Sequence, residues 1–262
     1  MTGSFSRWCG KISSGRIVRG LLAPLVAFSA SLLTAPLSGQ VRDVSSIPAP
    51  PGFARLGYPA GSFCAWVARL PLQQSDSIKT FDGRDVSENY DVLGVIDLPL
   101  LFRADLEQCA DWCLRLWAKY HKDSGKLDKL YLFDYNGRKK YFRNSGKTLA
   151  RFLKWSMDNA NSYSLLKGCA AVDSGNIRPG DMFVQNRRGG IGHVSMALDA
   201  CRDSAGRELY LVGYSYMPAQ EFHIERAGAE YGIGGWFSYQ GYCRFLHDRI
   251  DLGTPVLRRF DE

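Results

Sequence analysis

The chain has 262 residues, 45% of them hydrophobic and 13% aromatic, with 33 Lys and Arg against 26 Asp and Glu for a formal charge of +7. That apolar content excludes an intrinsically disordered chain. Much of the charge sits at the start: Arg7, Lys11, Arg16 and Arg19 have no acidic counterweight, and without them 29 basic residues face 26 acidic ones.

The basic start leads into "GLLAPLVAFSASLLTAPLSG", an apolar run that ends in small residues. Basic, apolar, then small is the order of a secretory signal, expected over residues 1–39. The run contains Pro24 and is barely long enough to cross a bilayer. Export to the periplasm or beyond is therefore expected, with no membrane span after cleavage. Residues 40–57 are rich in Pro and Ser and read as a linker into a single domain over 58–262. "GSFCAWVARLPL" reads as a short helix capped by Ser62, and "DVLGVIDL" as an apolar strand. From Asp105 to Tyr120, Leu106, Cys109, Cys113, Trp117 and Tyr120 share one helical face. Asp105 and Gln108 fit the first and last positions of a capping box there. "KLYLFDY", Asn136-Gly137 and "KKYFRN" spell a hairpin, and "TLARFLKWSMDNA" a second amphipathic helix.

The period then changes from 3.6 to 2. "DMFVQ", "HVSMALDA", "ELYLVGYSY" and "EFHIERA" are strands separated by Gly-rich or polar turns. Helices first and an antiparallel meander after predict an α+β fold, with helices packed on a mostly antiparallel sheet. Six cysteines follow the leader, Cys64, Cys109, Cys113, Cys169, Cys201 and Cys243. In an oxidising compartment they could form three bridges, and spacing does not choose among fifteen pairings.

A thiol nucleophile needs a helped ionisation, a base within reach and a group that orients the base. Cys109, at the end of the first turn of its helix, meets the first condition in part through the helix dipole, whose effect fades within that turn. His193 opens a strand after Gly189, Gly190 and Gly192 and is the candidate base; Ser215 and Gln220 are candidates for orienting its ring. Gly192, Tyr216 and Trp236 are the candidate substrate contacts. The bland alternatives are concrete: Cys109 as a packed thiol, His193 as a satisfied core histidine, Asp111 as a salt-bridging carboxylate. His193, His223, His247 and Asp199 lack the spacing of a zinc site, and "NRRGGIG" does not join a parallel strand to a helix as a phosphate loop would. No metal and no cofactor are expected. "NGRKKYFRNSGK" reads as a solvated hairpin, and no nucleic-acid partner is expected.

The order of a helix-borne Cys, a "PGD" before a strand and a Gly-His opening the next is similar to the papain-like cell-wall peptidases and amidases. That resemblance implies a papain-like arrangement and an exported hydrolase or transferase acting on an amide, with a cell-envelope polymer or peptide as partner. The small polar or acidic residue such enzymes carry before the Cys is Gln108 here. A closer resemblance covers nearly all the chain past the leader. "YPAGSFCAWVARLPL", "FDGR", "LEQCADWCLRLWAKY", "GDMFV", "GHVSMALD" and "SYMPAQEFHI", in that order, resemble exported bacterial proteins with domain of unknown function 4846. The blocks place Cys109, Ala110 and Asp111, then Gly192 and His193, then Ser215 through Gln220 on that pattern. Tyr214 departs from the Gln usual there. That family carries no assigned activity, so this likeness implies kinship and not chemistry. The competing expectation is a non-catalytic envelope binding protein that holds a glycan or peptide in an aromatic groove around Trp236, Phe237 and Tyr239.

Overall fold

The structure, a computed structural model, describes residues 42–186 and 189–262. The expected signal peptide lies outside the described residues. In chain order the elements are β1 (Phe53–Arg55), α1 (Phe63–Val67), β2 (Val92–Val95), α2 (Cys109–Asp123), β3 (Tyr131–Phe133), β4 (Lys139–Tyr141), α3 (Leu149–Asn159) and α4 (Ser162–Gly168). Then come β5 (Ala170–Ala171), β6 (Met182–Gln185), β7 (His193–Asp203), β8 (Glu208–Tyr214), β9 (His223–Glu225), β10 (Gly232–Ile233), β11 (Trp236–Phe237), α5 (Tyr239–Arg249) and β12 (Val256–Arg259). The fold is α+β, as expected. One sheet runs β10-β11-β8-β7-β6-β12-β5, with β1 added to β7 and β9 joining β8 to β2, while β3 and β4 form a separate hairpin. Every strand pairing within the described residues is antiparallel.

Alternation along β7 divides the interior in two. Val194, Met196 and Leu198 enter the larger core with Trp112, Leu116 and other residues of α2. Ala197 belongs to a second core on the other face, with Tyr214, Phe237 and α5 residues Tyr242, Phe245 and Leu246. This two-sided burial explains the near-continuous apolar reading of β6 and β7, all buried until Arg202.

The segment expected to be a linker is part of this fold. β1 pairs with the far end of β7, Phe53 opposite Asp203 and Arg55 opposite Cys201. Val44 and Ile47 are buried in the larger core. A bulge between Ala197 and Asp199 accompanies an ion pair of Asp199 with Arg55. The Pro and Ser content disguised two buried apolar anchors and one partly buried charge. Trp236, expected to wall a groove, has no exposed surface: its Nε1 donates to Pro48 O at 3.0 Å and the Arg55 guanidinium lies 5.2 Å from its ring. Phe237 is equally buried against Tyr242 and Phe245. Their apolar area is worth more inside than in a groove. The cysteines from Cys64 to Cys243 are free thiols, five of them buried within the packed domain.

Trp236→Ala should therefore destabilise the whole domain, by about 3–5 kcal/mol for a fully buried indole. Denaturant unfolding followed by circular dichroism measures this. A stable protein with only a ligand-binding defect would contradict the assignment.

Candidate functional site

Helix α2 begins later than its sequence suggests. Asp105 does not cap it; Asp105 Oδ1 instead accepts the Ala219 amide at 2.6 Å and the Gln108 side-chain amide at 2.9 Å. Gln108 becomes the cap and Asp111 the residue that completes the box, its Oδ2 accepting the Gln108 N–H at 3.1 Å. Cys109 is thus the first helical residue, where the unpaired N–H groups and the positive end of the dipole act most directly.

The turns around it are tied down. Glu107, fully buried, accepts the Leu101 amide and pairs with Arg115, whose guanidinium lies 4.4 Å from the Trp112 ring. Trp112 Nε1 and Ser215 Oγ both donate to Gln220 O, at 3.0 and 2.8 Å. These bonds set the start of α2 against the connection between β8 and β9. The β7–β8 ladder stops at Met196 and Gly213. Beyond that point the Val194 backbone amide acts on the Cys109 sulfur instead.

Cys109 lies at the base of a cleft of ≈ 330 Å³ that Asp105, Gln108, Asp111, Asn161, Ser162 and Gly192 also line. Asn186 shapes its wall by donating to Ser162 Oγ at 2.8 Å and to Gly190 O at 3.0 Å. Gly192 is required there, because a Cβ would meet Gln185 O at 2.3 Å and Ser162 Oγ at 2.4 Å. Ile191, 76% exposed, and Met217 form an apolar rim. Among the described residues that line it, the cleft has two carboxyl groups and no basic side chain. Asp111 is 7% exposed and its Oδ1 has no hydrogen-bond partner. Burial holds the Asp111 carboxyl well above the usual carboxylate range. Burial also pushes the Cys109 thiol, itself 7% exposed, up to about 11, against a weaker pull from the Val194 amide.

His193 is not hydrogen-bonded to Cys109. Alternation sends it to the face of β7 shared with Ser195 and Ala197, away from the core under α2. There its ring meets Tyr214 at 5.2 Å and Tyr216 at 5.5 Å, fully buried, and neither ring nitrogen has a partner. Burial, with a smaller contribution from His223, takes His193 down to about 3. Ser215 and Gln220 do not orient the imidazole. The hydroxyl of Ser215 is spent on Gln220 O, and the Gln220 side chain donates to the Tyr90 hydroxyl at 2.9 Å. Of the expected substrate contacts, Gly192 lines the cleft and Tyr216 lines a separate cavity on the α5 face. Sequence reasoning did not mark Asn161, Ser162 or Asp105 for the cleft; Asn161 caps and Ser162 opens α4, a helix that no strong apolar period announces.

A buried imidazole that must stay neutral has a sign. The folded His193 binds its proton less tightly than the unfolded chain, so its contribution is present above the unfolded value near 6.5 and is lost as pH falls from there towards 3. The wild type should lose up to about 1.4 kcal/mol per pH unit more than His193→Gln across that window. Urea unfolding at a series of pH values tests this, and parallel curves for the two proteins would refute it.

Neither a curated protein nor a solved structure matches the chain significantly. The sequence model of the domain of unknown function 4846 matches residues 44–146 and 134–248. The matched stretch takes in β1 through nearly all of α5, including Cys109, Asp111 and His193. The chain belongs to the domain of unknown function 4846 family.

Proposed function

We propose that the protein is an exported cysteine-dependent hydrolase or transferase that acts on an amide bond of a cell-envelope polymer or peptide, on a papain-like scaffold. The observation that carries this reading is the position of Cys109. It is the first residue of α2, at the base of a polar cleft, against the Val194 amide and one residue along β7 from an imidazole with two free nitrogens. The thiol gives up its proton to His193 as the sulfur attacks the amide carbonyl carbon. The first-turn N–H groups of α2 donate to the oxyanion that forms. The amine leaves with the proton from the imidazole, and water or an acceptor amine resolves the thioester. His193 must turn towards the cleft when substrate enters; hydrogen bonds of this kind tighten in the substrate complex. With the thiol raised and the imidazole lowered by burial, the resting pair is neutral and proton transfer accompanies attack.

A second reading is favoured by one observation, the missing thiol–imidazole bond. On that reading the same cleft holds a glycan or peptide without chemistry. The two separate on purified peptidoglycan, by release of new amino groups. Cys109→Ala and His193→Ala should each lower the rate about a thousandfold or more, while Cys113→Ala, one turn deeper, keeps it. Activity that survives Cys109→Ala removes the enzymatic reading.

The neighbouring carboxyl provides a second measurement. Asp111→Asn keeps an oxygen for the Gln108 amide and removes a carboxyl that, once ionised, raises the thiol. The rate of Cys109 alkylation by iodoacetamide should therefore climb at lower pH in Asp111→Asn than in wild type. An unchanged profile would mean that Asp111 does not act on the sulfur.

A further inference from the structure

On the α5 face of the sheet lies a second cavity, of ≈ 340 Å³, with Tyr90, Tyr214, Tyr216 and Glu225 in its walls. We propose that it binds an organic ammonium group, carried by a small amine or by one residue of a larger ligand. The inference does not rest on the cysteine chemistry, since Cys109 serves the other face.

Charge is the first argument. Glu88, Asp91 and Glu225 line the cavity, and among the described residues Arg249 is its one cationic lining residue. Within the described residues none of the three carboxyl groups is ion-paired with Lys or Arg, and Arg249 is ion-paired with no carboxylate. A concave surface with that surplus repels anions and concentrates cations. The second argument is the shape of the aromatic wall. Tyr90 and Tyr214 meet at an interplanar angle of 70° with centroids 6.1 Å apart, forming a corner, and Tyr216 lines the same space. The His223 ring fills the inner side of that corner, 4.4 Å from Tyr90 and 4.5 Å from Tyr214, so an ammonium group sits on the cavity side, where Tyr90, Tyr214 and Tyr216 line the space.

The hydrogen bonding in the wall decides between a cation and a neutral sugar. Glu225 Oε1 accepts the Asp91 amide at 3.0 Å, and Oε2 accepts the Tyr214 hydroxyl at 2.7 Å and contacts His223 Nε2 at 3.2 Å. The Tyr90 hydroxyl is held by Gln220. Glu225, Tyr214 and Tyr90 thus commit their polar atoms to one another, and what these three offer a ligand is ring face beside the carboxylates of Glu88 and Asp91. Tyr214 donates into a carboxylate, which increases electron density on its ring and strengthens the attraction for a cation. The volume fits a head group or a small amine, at the low end of ligand pockets.

Choline and its uncharged isostere 3,3-dimethylbutan-1-ol separate charge from shape. In NMR titrations of the full chain, choline should bind roughly tenfold or more tightly than the alcohol, as expected for ring faces plus carboxylates. Tyr216→Ala and Asp91→Asn, which leave the buried Glu225 cluster intact, should each weaken choline several-fold and leave the alcohol unchanged. Cys109→Ala should leave choline binding unaltered, so that failure of the thiol chemistry and failure of this site are told apart. No choline binding, equal affinity for the two probes, or binding indifferent to both cavity variants would overturn the proposal.

Discussion

The structure depends on how the first turn of α2 is pinned. Asp105 accepts an amide from the connection between β8 and β9, and Trp112 and Ser215 converge on one carbonyl of that connection. Glu107 and Arg115 close the other side as a buried pair, which is costly to create and more costly to break on one side only. These contacts hold the helix start where the β7–β8 ladder ends, and so bring a thiol to a free strand amide. A helix packed only by its apolar face could slide by a turn; this one is held by directional bonds at its end.

The same burial that fixes the site works against charge within it. Thiol, imidazole and the Asp111 carboxyl are all moved towards their neutral forms, with desolvation as the largest cause in each. The cleft is therefore not a preformed ion pair. It is a set of neutral groups whose protons move only when something alters their surroundings. The exposed rim of Ile191 and Met217 suits that arrangement, because an apolar ligand covering it removes more water.

Most of the fold was legible. Ser62 caps a helix as its sequence position suggests, Asn136-Gly137 turns a hairpin, and period 2 marks β6 to β8. The start of α2 was misplaced by three residues because Asp105 and Gln108 mimic a capping box, and only the fold reveals that the Asp105 carboxylate is taken by Ala219. The linker reading failed because Val44, Ile47 and Arg55 find their partners far along the chain. For the site, sequence order suggested Cys109 and His193 as a pair but could not assign them to faces. That depends on whether the strand begins at an odd or an even position, which a lone Gly-His does not encode. Trp236 illustrates the opposite limit: an indole beside glycines reads the same whether it lines a groove or fills a core.

One consequence follows from the alternation of β7. A strand is a wall a single residue thick, and here it stands between two chambers of different character. One holds a sulfur and a carboxyl that burial pushes towards its neutral form; the other holds phenols and carboxyl groups. Tyr216 packs against His193, and its phenol is pushed up by burial and, to a smaller extent, by Cys109, so it borders both sides of the partition. A ligand in one chamber that displaced the Tyr216 ring would press on this partition first, and any influence it had on the other chamber would be of equal size in the reverse direction.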